Sequence, residues 1–148
     1  MVDLDRNVHT PEVSLYSKPA EHMCKKLGYE LDTLFQIRAQ LQLPVLTEKD
    51  KLYGVPHMDG DRGYPYVVGV YYVNDSEGDT YIFKQTTNDT SPVDVMSGKL
   101  DVQQTVSPKK GRMIIFNSSV YHAVGKPKKD IRCVLNYHFL MKQWISLI

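Results

Sequence analysis

The sequence predicts a mainly β protein with an N-terminal helix. Four segments are dense in β-branched and aromatic residues, namely 66–73, 80–83, 112–116 and 132–140, and polar turns separate them. Short strands divided by turn signals are typical of a β-sandwich or a β-barrel. The stretch before them has the spacing of a helix. A helix that precedes an all-β region is expected to pack against one face of the sheet.

The helix is predicted over residues 17–42. Ser17 is a suitable N-cap, and Pro19 lies in the first turn. Apolar residues then recur at steps of three and four, which places them on one face of a helix: Met23, Leu27, Leu31, Leu34, Ile37 and Leu41. Gly28 lies inside this pattern, so two shorter helices are the alternative. Pro44 ends the segment.

Length predicts one domain over residues 1–148. It divides into an N-terminal segment with its supporting helix, residues 1–45, and a β core, residues 46–148. A chain of this length can bury a core without disulfides or a structural metal. Residues 84–105 are polar and are predicted to form a long loop, and long loops on a rigid β scaffold often carry recognition.

Composition favours a soluble, cytoplasmic protein. The chain has 18 Lys and Arg against 17 Asp and Glu, and the net charge of +1 gives no argument for nucleic acid or an acidic membrane as partner. Its two cysteines, Cys24 and Cys133, form no CxxC motif and fit a reducing compartment. No apolar run approaches the roughly 20 residues that span a bilayer, and the first residues do not form a secretory signal.

The first candidate site residues lie in PHMDG, residues 56–60. In an extended backbone, His57 and Asp59 point to the same side, so both can bind one metal ion. Taken alone, this pair is equally compatible with two polar side chains at the edge of a sheet. The best third ligand is His122, which follows the apolar segment 112–116. Two histidines and one carboxylate that leave positions open are typical of non-haem Fe(II) oxygenases.

Arg132 opens the predicted strand that follows His122. An arginine at this place can bind a carboxylate through two parallel hydrogen bonds, and the alternative is a solvated charge at a strand edge. Between the two residues lies the basic run GKPKKD, residues 125–130. This run is predicted to be a solvated turn near the pocket mouth, where it could contact an acidic substrate.

Together, these motifs resemble the 2-oxoglutarate- and Fe(II)-dependent oxygenases, specifically their prolyl 4-hydroxylase-like branch. The matching segments are PHMDG (56–60), VYYVNDSEGDTYIF (70–83), VSPKKGRMIIFNSSVYHAV (106–124) and the strand of Arg132, in the order of the family. The resemblance covers about residues 50–140. Two departures are a single glycine in the GDT turn, where many relatives have two, and a chain that is short for the family.

The resemblance implies a double-stranded β-helix of the jelly-roll and cupin type. It implies Fe(II) bound by His57, Asp59 and His122, with 2-oxoglutarate as cosubstrate and ascorbate as a further candidate cofactor. Arg132 and Tyr72 would bind the far carboxylate of 2-oxoglutarate. Further candidates for the lining of the pocket are Tyr53, Val124, Asn136 and His138.

The implied activity is a dioxygenase that hydroxylates an unactivated C–H bond. The substrate would be a peptide or protein, with prolyl hydroxylation as the first expectation, or a small molecule such as a free amino acid. The alternative is a non-catalytic, cupin-like module that binds Zn²⁺ or another ion. Arg132 discriminates between the two, because a structural metal site needs no carboxylate clamp. Neither nucleic acid nor a membrane is an expected partner.

Overall fold

The computed structural model places two antiparallel β-sheets face to face, with two short helices before them. The structure describes residues 12–45, 52–60, 64–86, 94–95 and 100–142. Half of the predicted loop at 84–105 lies outside these ranges, as do residues 1–11 and 46–51. Within the described residues, no helix is long and apolar enough to cross a membrane.

The helical part of the chain is shorter than the sequence pattern predicts. Helix α1 covers Val13–Tyr16 and helix α2 covers Lys18–Lys26. Gly28, with φ of +81°, follows the C-cap Leu27. The amide of Gly28 bonds the carbonyl of Lys25 at 3.1 Å, and the next amide bonds the carbonyl of Cys24 at 2.9 Å. These two bonds form a Schellman motif, which ends a helix where a residue adopts the left-handed conformation.

The predicted helix over residues 31–42 is wrong, because Leu31–Gln42 forms strand β1. Its apolar residues fit a helical spacing, but from Phe35 onward apolar and polar residues also alternate strictly. Such alternation gives a strand one apolar and one polar face. The sheet therefore begins at Leu31, and not at residue 46.

Of the six other strands, four lie where the sequence predicts them, with small differences at the ends. The strand Val102–Val106 falls mostly in the segment predicted as a loop, and Val120–Val124 lies outside the predicted strand segments. The six strands are β2 (Val67–Tyr72), β3 (Thr80–Thr86), β4 (Val102–Val106), β5 (Met113–Asn117), β6 (Val120–Val124) and β7 (Arg132–Met141). One sheet has the order β1-β7-β2-β5, and the other has the order β4-β3-β6. The prediction of a mainly β, jelly-roll-like fold with an N-terminal helix is confirmed.

Helix α2 covers the outer face of the larger sheet. Its buried residues Ala20 and Cys24 pack against Val67, Tyr137 and Phe139. Burial raises the pKa of the Cys24 thiol to about 11, so this cysteine belongs to the packing of the core. The helix therefore supports the sheet from the side that faces away from the second sheet.

The inner faces of the two sheets meet in a second cluster. Val70, Tyr72 and Val134 of the larger sheet pack there with Val106 of strand β4. The register of strands β1 and β7 continues this inner face along its length, and the facing pairs are Gln36 with His138, Arg38 with Asn136, Gln40 with Val134, and Gln42 with Arg132. Polar side chains thus occupy much of the space between the sheets.

Candidate metal centre

The segment that contains PHMDG runs antiparallel to strand β6. Gly54 donates its amide to the carbonyl of Val124 at 2.9 Å, and His57 and His122 exchange two backbone hydrogen bonds of 2.9 Å. Residues directly opposite each other on such a pair project to the same side. The two imidazole rings therefore lie together, with 4.5 Å between their centroids.

Asp59 completes the predicted set. One of its carboxylate oxygens, Oδ1, lies 3.9 Å from Nε2 of His57, and the other, Oδ2, lies 3.6 Å from Nε2 of His122. The hydroxyl of Tyr66 donates to the backbone carbonyl of Asp59 at 2.6 Å and so fixes this turn of the chain. The candidate ligand atoms of the three side chains all lie within 4.8 Å of one another, so the set could bind a metal ion.

Backbone carbonyls fix which nitrogen each histidine presents. Nδ1 of His57 lies 3.1 Å from the carbonyl of Val55, and Nδ1 of His122 lies 3.2 Å from the carbonyl of Val120. Because a carbonyl can only accept, each Nδ1 carries the proton when the ring is neutral. Each Nε2 then keeps its lone pair and faces Asp59. A hydrogen bond of this kind orients the histidines of metal sites.

The charges of the site favour a neutral imidazole beside an ionised carboxylate. Burial lowers the pKa of His122, and the charge of Asp59 only partly offsets this effect. Burial alone would raise the pKa of Asp59, but the hydrogen bond from His138 and the nearby histidine charges hold it below its ordinary value. Neutral imidazole and ionised carboxylate are the forms that bind a metal.

His138 is a fourth polar side chain at this centre. Its Nε2 lies 3.4 Å from Oδ2 of Asp59, and its ring packs on Tyr66 with 5.2 Å between centroids. The side chain is buried, and its Nδ1 has no hydrogen-bond partner in the described part of the chain. The sequence analysis placed His138 in the lining of the pocket, and the structure places it directly against Asp59.

Arg132, at the first position of strand β7, lies at the other end of the same cavity. Only 1 % of its surface is exposed. Its guanidinium donates to Oε1 of Gln42 at 2.9 Å and to Oγ1 of Thr80 at 3.0 Å, whereas its Nε has no partner. Among the described residues, no carboxylate lies within ion-pair distance of this cation. A buried charge without a counter-ion is strongly unfavourable.

Thr80 links Arg132 to Tyr72. The hydroxyl of Tyr72 donates to Oγ1 of Thr80 at 2.7 Å, and the face of its ring lies 5.5 Å from the guanidinium carbon of Arg132. Thr80 Oγ1 therefore accepts from both Tyr72 and Arg132, which leaves its own proton to donate elsewhere. Thr80 lines the cavity, so this donor is available to a ligand.

Two glycines allow the chain to close tightly around Arg132. Gly78 precedes strand β3 with φ of +86°, and a Cβ there would lie 2.8 Å from the carbonyl of Gly125 and 3.2 Å from Cδ of Arg132. A Cβ on Gly125 would lie 2.8 Å from the amide of Asp79. Any other residue at either position would have to displace backbone next to the guanidinium.

The metal set and Arg132 border one cavity of about 550 Å³, a size suited to a small ligand. Val124, Asn136 and His138 line it, as does Thr80. Tyr53 lies outside this lining, and its ring packs on Tyr81 and Phe83 with centroid distances of 4.7 and 5.4 Å.

The sequence did not predict four residues of strand β1 that line the cavity: Gln36, Arg38, Gln40 and Gln42. The signal that identifies them is the alternation that begins at Phe35, because it places all four on one strand face. Their placement in the cavity could not be read from a helical interpretation of this segment.

No protein-family model and no curated protein matches the sequence. Among solved structures, the chain is similar to an N-substituted L-amino acid dioxygenase from Burkholderia ambifaria AMMD, with 11 % identity and a TM-score of 0.54. The match covers 90 % of this chain and 63 % of that chain. This chain therefore spans less than two thirds of the length of that dioxygenase, and the likeness at this identity concerns the fold alone.

Proposed function

We propose that the protein is an Fe(II)- and 2-oxoglutarate-dependent dioxygenase of the prolyl 4-hydroxylase-like type. The observation that carries this proposal is Arg132, a buried cation without a carboxylate partner among the described residues, in the same cavity as the His57, Asp59 and His122 set. A metal site and an anion site in one cavity suit a ligand that chelates the metal and has a second carboxylate. The substrate is a free amino acid or a peptidyl residue such as proline.

The donor set suits iron. Two imidazole nitrogens and one carboxylate leave coordination positions for a chelating cosubstrate and for O₂. When bound, iron and 2-oxoglutarate supply the chemistry that puts one atom of O₂ into a C–H bond and the other into succinate, with release of CO₂. His57 and His122 present Nε2 because their Nδ1 protons bind carbonyls. Asp59 presents an oxygen because His138 binds its carboxylate.

In this proposal, Arg132 binds the far carboxylate of the cosubstrate through its guanidinium. Gln42 and Thr80 hold the guanidinium in place, and the Thr80 hydroxyl donates a further hydrogen bond to the ligand. Tyr72 acts through Thr80, because its hydroxyl bonds Thr80. Tyr72 is therefore a positioning residue in this proposal.

Anaerobic reconstitution tests the metal and cosubstrate assignment. Fe(II) and 2-oxoglutarate added together to the wild-type protein should produce a weak visible charge-transfer band, which Asp59→Ala and His122→Ala should lack. A folded wild-type protein without the band, in which Zn²⁺ binds with high affinity, would instead indicate the non-catalytic metal-binding module.

Arg132→Ala tests the anion site separately. The KM for 2-oxoglutarate should rise at least about 30-fold, because truncating one partner of a buried charge pair costs about 2–5 kcal/mol. Arg112→Ala is the matched control, since Arg112 is exposed and its guanidinium bonds only the carbonyl of Ser107 among the described residues. Equal KM values for Arg132→Ala and the wild type would refute the assignment of the cosubstrate.

A further inference from the structure

Strand β1 forms a polar wall of the cavity. Its inward side chains include Gln36, Arg38 and Gln40, and the register places them opposite His138, Asn136 and Val134 of strand β7. The wall therefore begins at the pair of Gln36 with His138, beside Asp59, and ends at the pair of Gln42 with Arg132. Arg38 occupies an intermediate place, where its side chain is exposed at the opening of the cavity.

Arg38 and Arg132 occupy different places on this wall. Arg38 and Gln42 are four residues apart on one strand, which separates the rows of Arg38 and Arg132 by about 13 Å. The proposed function uses Arg132 for the far carboxylate of 2-oxoglutarate. Arg38, which is exposed and has no side-chain partner among the described residues, is left for a second ligand.

Most side chains of this wall have no partners among the described residues. In the described part of the chain, Gln36, Arg38, Gln40 and Asn136 make no side-chain hydrogen bond or ion pair, whereas Gln42 accepts from Arg132. Gln36, Gln40 and Asn136 are half-buried, and partly desolvated amides without partners are unfavourable. Such a row is suited to a ligand with several polar groups.

The charge of the cavity specifies the sign of that ligand. Arg38, Lys126 and Arg132 line it, and Asp59 is the one carboxylate among the described lining residues. In the proposed complex, the charges of Fe(II), Asp59, 2-oxoglutarate and Arg132 cancel. Arg38 then leaves an excess of positive charge near the opening, which attracts an anion.

We infer that the substrate carries a free carboxylate and that Arg38 binds it. A guanidinium binds a carboxylate through two parallel hydrogen bonds, and the amides of Gln36, Gln40 and Asn136 suit amine or amide groups beside it. The substrate class is therefore a free amino acid or the C-terminal residue of a peptide, because an internal residue of a protein has no such carboxylate. This inference rests on the proposed function and narrows its substrate.

Matched acids and amides provide the test. Succinate formation is measured with the twenty common L-amino acids and with tripeptides that end in each of them, every compound as the free acid and as its carboxamide. At least one acid should stimulate succinate formation, and its carboxamide should have a kcat/KM about 10- to 100-fold lower. Equal stimulation by an acid and its carboxamide, or no stimulation by any acid, would overturn the inference.

Arg38→Gln assigns the effect to this residue. The variant should lose about 10- to 100-fold in kcat/KM for the acid, retain its activity on the carboxamide, and retain the KM for 2-oxoglutarate. Equilibrium dialysis of the acid against anaerobic protein loaded with Fe(II) and 2-oxoglutarate should show the same loss of affinity without turnover. Arg112→Gln is the control and should behave as the wild type.

The outcomes separate this inference from the proposed function. If the charge-transfer band of the wild type is absent, the proposed function itself fails. If the band is present and Arg38→Gln still discriminates the acid from its carboxamide, Arg38 is not the carboxylate-binding residue, and the dioxygenase assignment stands.

Discussion

Arg132 is the residue whose surroundings are hardest to explain without a ligand. Burial lowers the pKa of its guanidinium, but an arginine stays charged at neutral pH even so. Its direct partners in the described residues, Gln42 and Thr80, are neutral. Asp79 acts on this charge only from beyond ion-pair distance, so the described chain holds a buried cation without a directly paired counter-ion.

Arg132→Met should separate function from stability. A methionine of similar length removes the unpaired charge, so the free energy of unfolding should stay the same or rise by about 1–2 kcal/mol. Stabilisation by 2-oxoglutarate should be lost. Urea unfolding with and without 2-oxoglutarate measures both effects, with Arg112→Met as the control. A loss of more than about 2 kcal/mol would mean that Arg132 has a mainly structural role.

At this scale, the sequence predicts the residues that the structure brings together at the candidate site, and it misses the residues that contact Arg132. His57, Asp59, His122 and Arg132 are identified by their order around apolar strands. Thr80 and Gln42 are not, because they meet Arg132 only after three strands from two sheets have assembled. For the same reason, the sequence could not show that the hydroxyl of Tyr72 bonds Thr80.

Among the elements, strand β1 shows the limit of pattern analysis. Six apolar residues from Met23 to Leu41 fit helical steps, and the last seven positions of that stretch, from Phe35, also fit a two-residue period. Gly28 decides between them, since its positive φ ends helix α2 and lets the chain turn back as a strand. The pairing of β1 with β7 is a long-range contact, which a local pattern cannot reveal.

Gly28→Ala tests the end of this helix. Alanine in the left-handed conformation costs about 1 kcal/mol, and a Cβ at this position would meet no neighbouring atom within 4 Å. The free energy of unfolding should fall by that amount, as measured by urea denaturation. Gly54→Ala is the matched control, because a Cβ there makes an ordinary contact of 3.7 Å and no positive φ is involved. Equal losses in both variants would contradict the explanation.

The side chain of Asp75, in the turn after strand β2, bonds two lysines in the turn before strand β5. Its Oδ1 accepts the amide of Lys110 at 2.6 Å, and Nζ of Lys109 lies 3.5 Å from Oδ2. The hydrogen bond from the Lys110 amide is the main cause that lowers the pKa of Asp75. The ionised form is therefore the one that stabilises the fold.

Asp75→Asn should have a pH-dependent effect. Because the pKa is lower in the folded state, the stabilisation is complete above the unfolded value and disappears as the pH falls through the folded value. The melting temperature of the variant should lie below that of the wild type above about pH 5, and the two should converge as the pH falls through the lowered pKa of folded Asp75. Asp32→Asn is an exposed control. A difference that persists at the lowest pH would rule out ionisation as its cause.

In the whole molecule, the site joins the two sheets. His122 and Thr80 belong to the smaller sheet, whereas His138, Arg132 and Gln42 belong to the larger one. A ligand that contacts both groups of residues binds the folded state and not the unfolded chain. Ligand binding should therefore stabilise the entire fold.

Metal and cosubstrate should raise the melting temperature together. Ligand at about 100 times its Kd adds about 2.7 kcal/mol, which for a domain of this length corresponds to about 5–10 °C. Thermal unfolding of anaerobic protein with Fe(II) and 2-oxoglutarate measures the shift. Asp59→Ala should show little of it. An unchanged melting temperature of the wild type at saturating ligand would argue against a common site between the sheets.

Strand β1 has one hydrogen-bonded neighbour among the described strands, and apart from Gln42 its inward side chains make no hydrogen bond or ion pair with the described metal set or with Arg132. If the proposed function holds, selectivity and reactivity are encoded in separate parts of the chain. Substitutions at Gln36, Arg38 and Gln40 should then change which molecule is accepted while the candidate metal centre stays intact. Such a division would let substrates diversify through changes in one peripheral strand, and it makes β1 the natural target for directed evolution.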